Sequence, residues 1–234
     1  MRWILCFAAV AACAGCERHE PGQEQRAQSV QQSGQAAAGE AQPMGTGPYA
    51  PRDECLQAAG ATEFRSRIAD AVRQRDSDAL AALTADDIKL DFGGGAGVEE
   101  LGRRMVDSNR HLWDELEAIL PLGCAVTPKG EIIIPWVAGQ DIATADPGAA
   151  MLVMGMGVPV LSAADPSASS VGSVSWDVVE VPAFVPELKF QQVTLPDGTR
   201  GFVATDALRS LLDYRLAAAN KGGGWRIESL LAGD

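Results

Sequence analysis

The sequence predicts an α+β protein whose two halves are patterned differently. Between Thr62 and Leu120, apolar side chains recur at helical spacing, interrupted by one alternating stretch. From Met151 onward the chain changes to apolar runs of four to six residues separated by turn residues, the pattern of a small barrel. Apolar residues make up 47% of the 234, enough for a buried core in one large or two small domains.

The chain opens on Met1-Arg2 and a ten-residue apolar run, Trp3 to Ala12, too short to span a bilayer. The run ends in Cys13-Ala14-Gly15-Cys16. Small residues before a cysteine resemble the bacterial lipoprotein box. That resemblance implies a signal peptide over residues 1–16 and a diacylglycerol on the Cys16 sulfur. An ordinary cleavage after the small residues would instead release a soluble periplasmic protein. Residues 17–52 hold seven glutamines amid Gly, Ala, Ser and Pro. Such a composition buries too little surface to offset the entropy of ordering, so it predicts a disordered tether. A flexible chain of about 35 residues reaches roughly 30–35 Å on average.

Residues 53–147 read as an N-terminal α+β domain. Phe64, Ile68, Ala71 and Val72 make one stripe of a helix from Thr62 to Arg75. A second short helix runs to Leu83, with Ser77 or Asp78 as its cap. Ile88, Leu90 and Phe92 alternate with Lys89 and Asp91, which predicts a half-buried strand. Val98 to Val106 is a helix whose opening pair, Glu99-Glu100, suits the positive helix end. Leu112 to Leu120 is another, stopped by Pro121 and Gly123. Ile132, Ile134 and Trp136 alternate as a strand, and Asp146-Pro147-Gly148 is a turn.

Residues 148–210 carry strands within MLVMG, VPVL, WDVVEV, FQQVTL and RGFVA. Asp197-Gly198 marks a tight hairpin turn. Residues 211–234 read as a terminal hairpin, Tyr214 to Ala219 and Trp225 to Leu231, around Gly222-Gly223-Gly224.

The stretches GVPVLSAADPSASSVGSVSWDVVEV and LPDGTRGFVATDAL resemble the bacterial SH3-like (SH3b) domain. Val193, Gly201, Phe202, Val203 and Leu208 fall at the positions of that pattern. Pro159 and Leu161 stand where the family has asparagine and arginine, so ligand-contacting roles do not transfer. FGGGAGVEELGRRM, LWDELEAILPLGC and the terminal DYRLAAANKGGGWRIESLLAGD are similar to bacterial envelope proteins that contain such a domain. That likeness implies a barrel inserted in the N-terminal domain, with the terminal hairpin returning to it. The helices ahead of Ile88 to Phe92 also look like the opening of a cone-shaped NTF2-like domain.

With Cys6 and Cys13 inside the signal and Cys16 carrying lipid, Cys55 and Cys124 remain as a pair in an oxidising compartment. The reading is a disulfide closing a loop of about 70 residues; two buried thiols are the alternative.

The run LDFGGGAGVEEL, Leu90 to Leu101, invites a nucleotide-site reading, because glycines between strand and helix often cradle phosphate. It fails the spacing tests. No third glycine completes a dinucleotide fingerprint, no Lys-Ser or Lys-Thr follows, and Glu99-Glu100 would repel a phosphate. A turn needing positive φ accounts for the glycines. Two histidines, His19 and His111, exclude multi-histidine metal sites. The acidic pairs lack calcium-loop spacing, so no metal and no cofactor is expected. A formal charge of −12 argues against nucleic acid as a partner.

The expectation is a non-enzymatic, membrane-anchored lipoprotein of the bacterial envelope, facing the periplasm and held at the outer membrane. No catalytic residue is assigned. Its SH3-like module would bind the cell wall (peptidoglycan) or an envelope protein, with Trp176, Phe190 and Phe202 as ligand-contacting candidates by residue type. The alternative is an NTF2-like pocket domain that binds a small ligand or carries hydrolase or isomerase activity.

Overall fold

In the computed structural model, residues 42–144 and 146–233 are described. The expected signal peptide, Cys16 and the expected tether as far as residue 41 lie outside the described residues. The protein is a mixed α+β structure with two open sheets. No helix among the described residues is long and apolar enough to cross a membrane.

Helix α1, Ala61–Gln74, forms where the sequence places it and buries Phe64, Ile68, Ala71 and Val72 on one face. Arg75 ends it in a left-handed conformation, φ 51. Helix α2, Ser77–Ala81, is capped by Asp76 rather than by Ser77 or Asp78. The Asp76 carboxylate accepts from the Asp78 and Ala79 amides at 3.1 and 2.9 Å, as an N-cap one residue ahead of the helix must. Strand β1 is Thr84–Lys89, four residues earlier at its start than the alternation of Ile88 to Phe92 suggests. Helices α3, Val98–Val106, and α4, Leu112–Ile119, complete the layer of helices.

The shift in β1 has a local cause. The Leu90 amide donates to Gly95 O and the Gly97 amide to Ile88 O, both at 2.8 Å, so the chain folds back on itself after Lys89. The glycine loop wraps the Asp91 carboxylate, which accepts from the Gly93 and Gly95 amides at 2.8 Å each. Arg104, from α3, pairs with Asp91 and donates to Leu90 O at 2.7 Å. A Cβ at Gly95 would stand 2.1 Å from an Asp91 oxygen, so only glycine fits there. Phe92, expected inward, is instead 57% exposed at the tip of the turn.

The Arg104 hydrogen bond, then the Gly95 amide, hold the Asp91 carboxyl down to a pKa of about 2. Its unfolded value is near 3.9. The stability it contributes is therefore complete above about pH 4 and lost as pH falls through about 2. NMR titration of Asp91 is expected to give that low value, and Arg104→Met should raise it. An unchanged pKa in the variant would show that the arginine is not the cause.

The first sheet has the order β1-β12-β11-β3-β2. Strands β2, Ala125–Val126, and β3, Ile132–Ile134, come early, whereas β11, Arg215–Asn220, and β12, Trp225–Leu231, close the chain. Strand β12 pairs parallel with β1, and β11 pairs antiparallel with both β12 and β3. The terminal hairpin thus sits at the centre of this sheet. Strand β3 stops before Trp136, which falls in a short 3-10 turn after Pro135 instead of continuing the alternation. Ile68, Leu116, Ile119, Ile132, Ile134 and Leu216 fill the space between helices and sheet, all fully buried. The Trp225 ring stacks on Phe64 and its indole N–H donates to Ala59 O at 2.9 Å, tying the last strand to the start of α1.

The second sheet takes its strands from between β3 and β11 in sequence. These are β4 (Ala150–Val153), β5 (Val158–Leu161), β6 (Ser170–Val174), β7 (Val178–Glu180), β8 (Phe190–Thr194), β9 (Arg200–Ala204) and β10 (Leu208–Ser210). Their order is β10-β4-β7-β8-β9-β5-β6, antiparallel throughout. The hairpin at Asp197-Gly198 joins β8 to β9, with Gly198 at φ 85 and the Asp197 carboxylate accepting from the Thr199 amide at 2.8 Å. The expected closed barrel does not form: no ladder joins edge strands β6 and β10 among the described residues. Strand β6 buries only Val174, so no apolar face draws it round to close the sheet. That polarity also hides it from periodicity.

Residues 42–52 differ from the tether their composition suggests. Pro43 pairs with Arg52, and Ala50 is fully buried. The Arg52 guanidinium lies 4.9 Å over the Trp136 ring, whose indole N–H donates to Glu54 at 2.7 Å. Cys55 and Cys124 form a disulfide, Cα atoms 5.7 Å apart. A third apolar cluster, with Trp136, Val137 and Leu152 at its centre, joins the two sheets.

Candidate functional site

Strands β7 and β8 share only one registered pair, Glu180 with Thr194. Beyond it the Leu195 amide turns away to Thr199 O, at 2.9 Å, and Pro196 has no N–H to give. The two chains diverge there. A cleft of about 520 Å³ occupies the gap, within the range of ligand sites. Val178, Val179 and Leu195 supply apolar wall, while Thr144 and Asp146 come from the segment linking the two sheets.

Tyr49 adds to the wall, positioned by tight backbone packing. Its amide donates to Trp176 O at 2.8 Å, and the Met44 amide closes the loop on Pro51 O at 2.7 Å. Gly47 has φ 122, and a Cβ there would lie 1.9 Å from Ser175 O. Only glycine lets this segment lie so close to residues 175–176.

The cleft is acidic. Asp146, Asp177 and Glu180 border it, and no lysine or arginine is among its lining residues. Among the described residues, no cation pairs with any of the three. Asp177 accepts from the Val178 amide and Asp146 from the Gly148 amide, each at 2.8 Å. The Thr144 hydroxyl oxygen is buried, with no hydrogen-bond partner among the described residues.

A smaller cavity of about 250 Å³ shares Ile142 and Thr144 with it and is bordered by Arg209. Arg209 is 8% exposed. Its Nη2 reaches Asp213 at 3.2 Å, Tyr214 O at 3.3 Å and Glu115 at 3.8 Å. Burial, and then the Asp213 charge, push the Glu115 carboxyl up from its ordinary pKa. This network joins α4 of the first sheet's helix layer to β10 of the second sheet.

None of the three aromatic candidates lines the cleft. Phe190 and Phe202 are half-buried on the outer face of β8 and β9, diagonal to each other across the ladder. Trp176 lies in the cluster between the sheets, beneath Gly45 and beside Tyr49, in a left-handed conformation with φ 42. No ring contact joins the three among the described residues. Tyr49 was hidden inside Gly- and Pro-rich composition, and Asp177 and Glu180 within an ordinary strand alternation. Met151 is buried, whereas Met156 is 62% exposed.

His111 stands 70% exposed with its Nδ1 3.4 Å from Asp114. Ser108 borders the same surface depression, but no hydrogen bond links it to His111 among the described residues, so no nucleophile–base pair is assembled. Asp53, Cys55 and Cys124 converge closely enough to suggest metal ligands. The two sulfurs are spent in the disulfide and Asp53 pairs with Arg65 at 2.6 Å, so the trio does not fit an ion.

Fold and site together define an α+β protein with an open, acidic, apolar-walled cleft in its second sheet. No protein-family model matches the chain, and no curated protein or solved structure matches it.

Proposed function

We propose that this is a non-enzymatic lipoprotein of the bacterial envelope, anchored through Cys16 and binding a cell-wall component or an envelope protein through its second-sheet domain. The observation that carries the reading is the cleft, which is ligand-sized and open. The SH3-like reading rests on the sequence motifs around the β8–β9 hairpin, in a sheet that stays open. The apolar filling beneath the first sheet speaks against an NTF2-like pocket there.

In-cell photo-crosslinking from Tyr49 and Glu180 positions is the direct test. A captured envelope protein, or pelleting with purified peptidoglycan, is expected. If neither occurs, the binding reading fails. Cys16→Ala should release the protein from membranes, and continued membrane retention would remove the anchor.

A further inference from the structure

We propose that the open seam between β7 and residues 195–196 takes an extended, basic peptide segment that pairs with the β7 backbone. This rests on reading the cleft as a binding surface, and it names the class of partner.

Backbone polarity comes first. In an antiparallel ladder, alternate residues turn their N–H and C=O to opposite neighbours. The Val153 amide donates to Asp177 O at 2.9 Å and the Val181 amide to Ala149 O at 2.7 Å. Asp177, Val179 and Val181 therefore face β4, and Val178 and Glu180 face β8. Glu180 meets Thr194 there, but the register places Val178 opposite Pro196. The Val178 amide is held by its neighbour, the Asp177 carboxylate. Its carbonyl is left toward the cleft with no strand opposite. A partly unpaired strand beside a ligand-sized cavity is the setting for strand addition.

Charge selects the peptide. Asp146, Asp177 and Glu180 border the seam without cationic partners, and the chain as a whole carries −12. An acidic strand would be repelled, whereas lysine or arginine side chains would meet carboxylates. Tyr49 in the wall adds an aromatic side chain, of the kind that attracts a cation.

The test is fluorescence anisotropy on the purified full chain. Probes are a labelled Val-Lys-Val-Lys-Val-Lys peptide, its Val-Glu counterpart, and the lysine peptide N-methylated at alternate residues. The lysine peptide is expected to bind at least about tenfold tighter than either control. Glu180→Lys, on an exposed side chain, is expected to weaken it about tenfold without changing the melting temperature. Equal binding of lysine and glutamate peptides, or indifference to N-methylation, would overturn the inference while leaving the cleft a binding site. No binding by any probe would overturn it as well, and the crosslinking result then decides the wider reading separately.

Discussion

Replacing Cys55 and Cys124 together by alanine is expected to lower stability by about 4 kcal/mol, within a usual range of about 2–5. The bridge spans 69 residues of sequence, and closing so long a loop removes much of the entropy of the unfolded chain. Both cysteines are fully buried. The bridge fastens the segment before α1 to the chain entering β2, where Glu54 N donates to Cys124 O at 2.9 Å and Cys124 N to Arg52 O at 2.8 Å. Those hydrogen bonds should survive in the variant, so the native fold is expected to persist at lower stability. Urea unfolding of the wild type with and without reductant, beside the double variant, measures the effect. Reduced wild type should unfold with the variant. A variant as stable as the oxidised protein would mean that the unfolded chain is already restricted without the bridge.

Arg209→Ala is expected to cost about 2–3 kcal/mol, or roughly 5–10 °C in melting temperature for a chain of this size. The guanidinium is nearly buried, and its loss leaves Glu115 and Asp213 facing each other with no cation between them. Both carboxylates are 31% exposed, so water takes up part of the penalty and the cost falls below that of a fully buried pair. The pH dependence separates this cause from lost packing. The Glu115 carboxyl already titrates above its ordinary value in the folded protein. Ionising it in the fold therefore costs stability at neutral pH, and that cost disappears as pH falls below its unfolded value. Without Arg209 the folded value should rise further. The gap between variant and wild type should then narrow from pH 7 toward pH 4, as Glu115 takes up its proton. A gap independent of pH would assign the loss to packing of the arginine stem. Arg209→Met, which restores apolar volume, should recover only that packing part.

The two variants probe different joints. The disulfide pins the segment that carries Tyr49 toward the cleft, whereas Arg209 links the helix layer to the second sheet. Either loss should loosen the cleft wall, which peptide binding would register alongside stability.

The sequence by itself determined the elements whose burial is local. The stripe of Phe64, Ile68, Ala71 and Val72 yields α1, because a helix needs only one apolar face at its own period. The Asp197-Gly198 turn yields the β8–β9 hairpin through local backbone preference. Only the tertiary structure decided the rest. Asp91 became the anchor of a glycine turn because Arg104 reaches it from a helix 13 residues on. Residues 42–52 packed despite tether-like composition, since glycines allow an approach that composition alone counts as disorder. The sheet stayed open because β6 has one buried residue, a fact visible only once its neighbours are known. The cleft arises from a missing rung opposite Val178. A pairing that fails to form leaves no mark in periodicity, because periodicity records which face a residue takes and not which strand lies beside it.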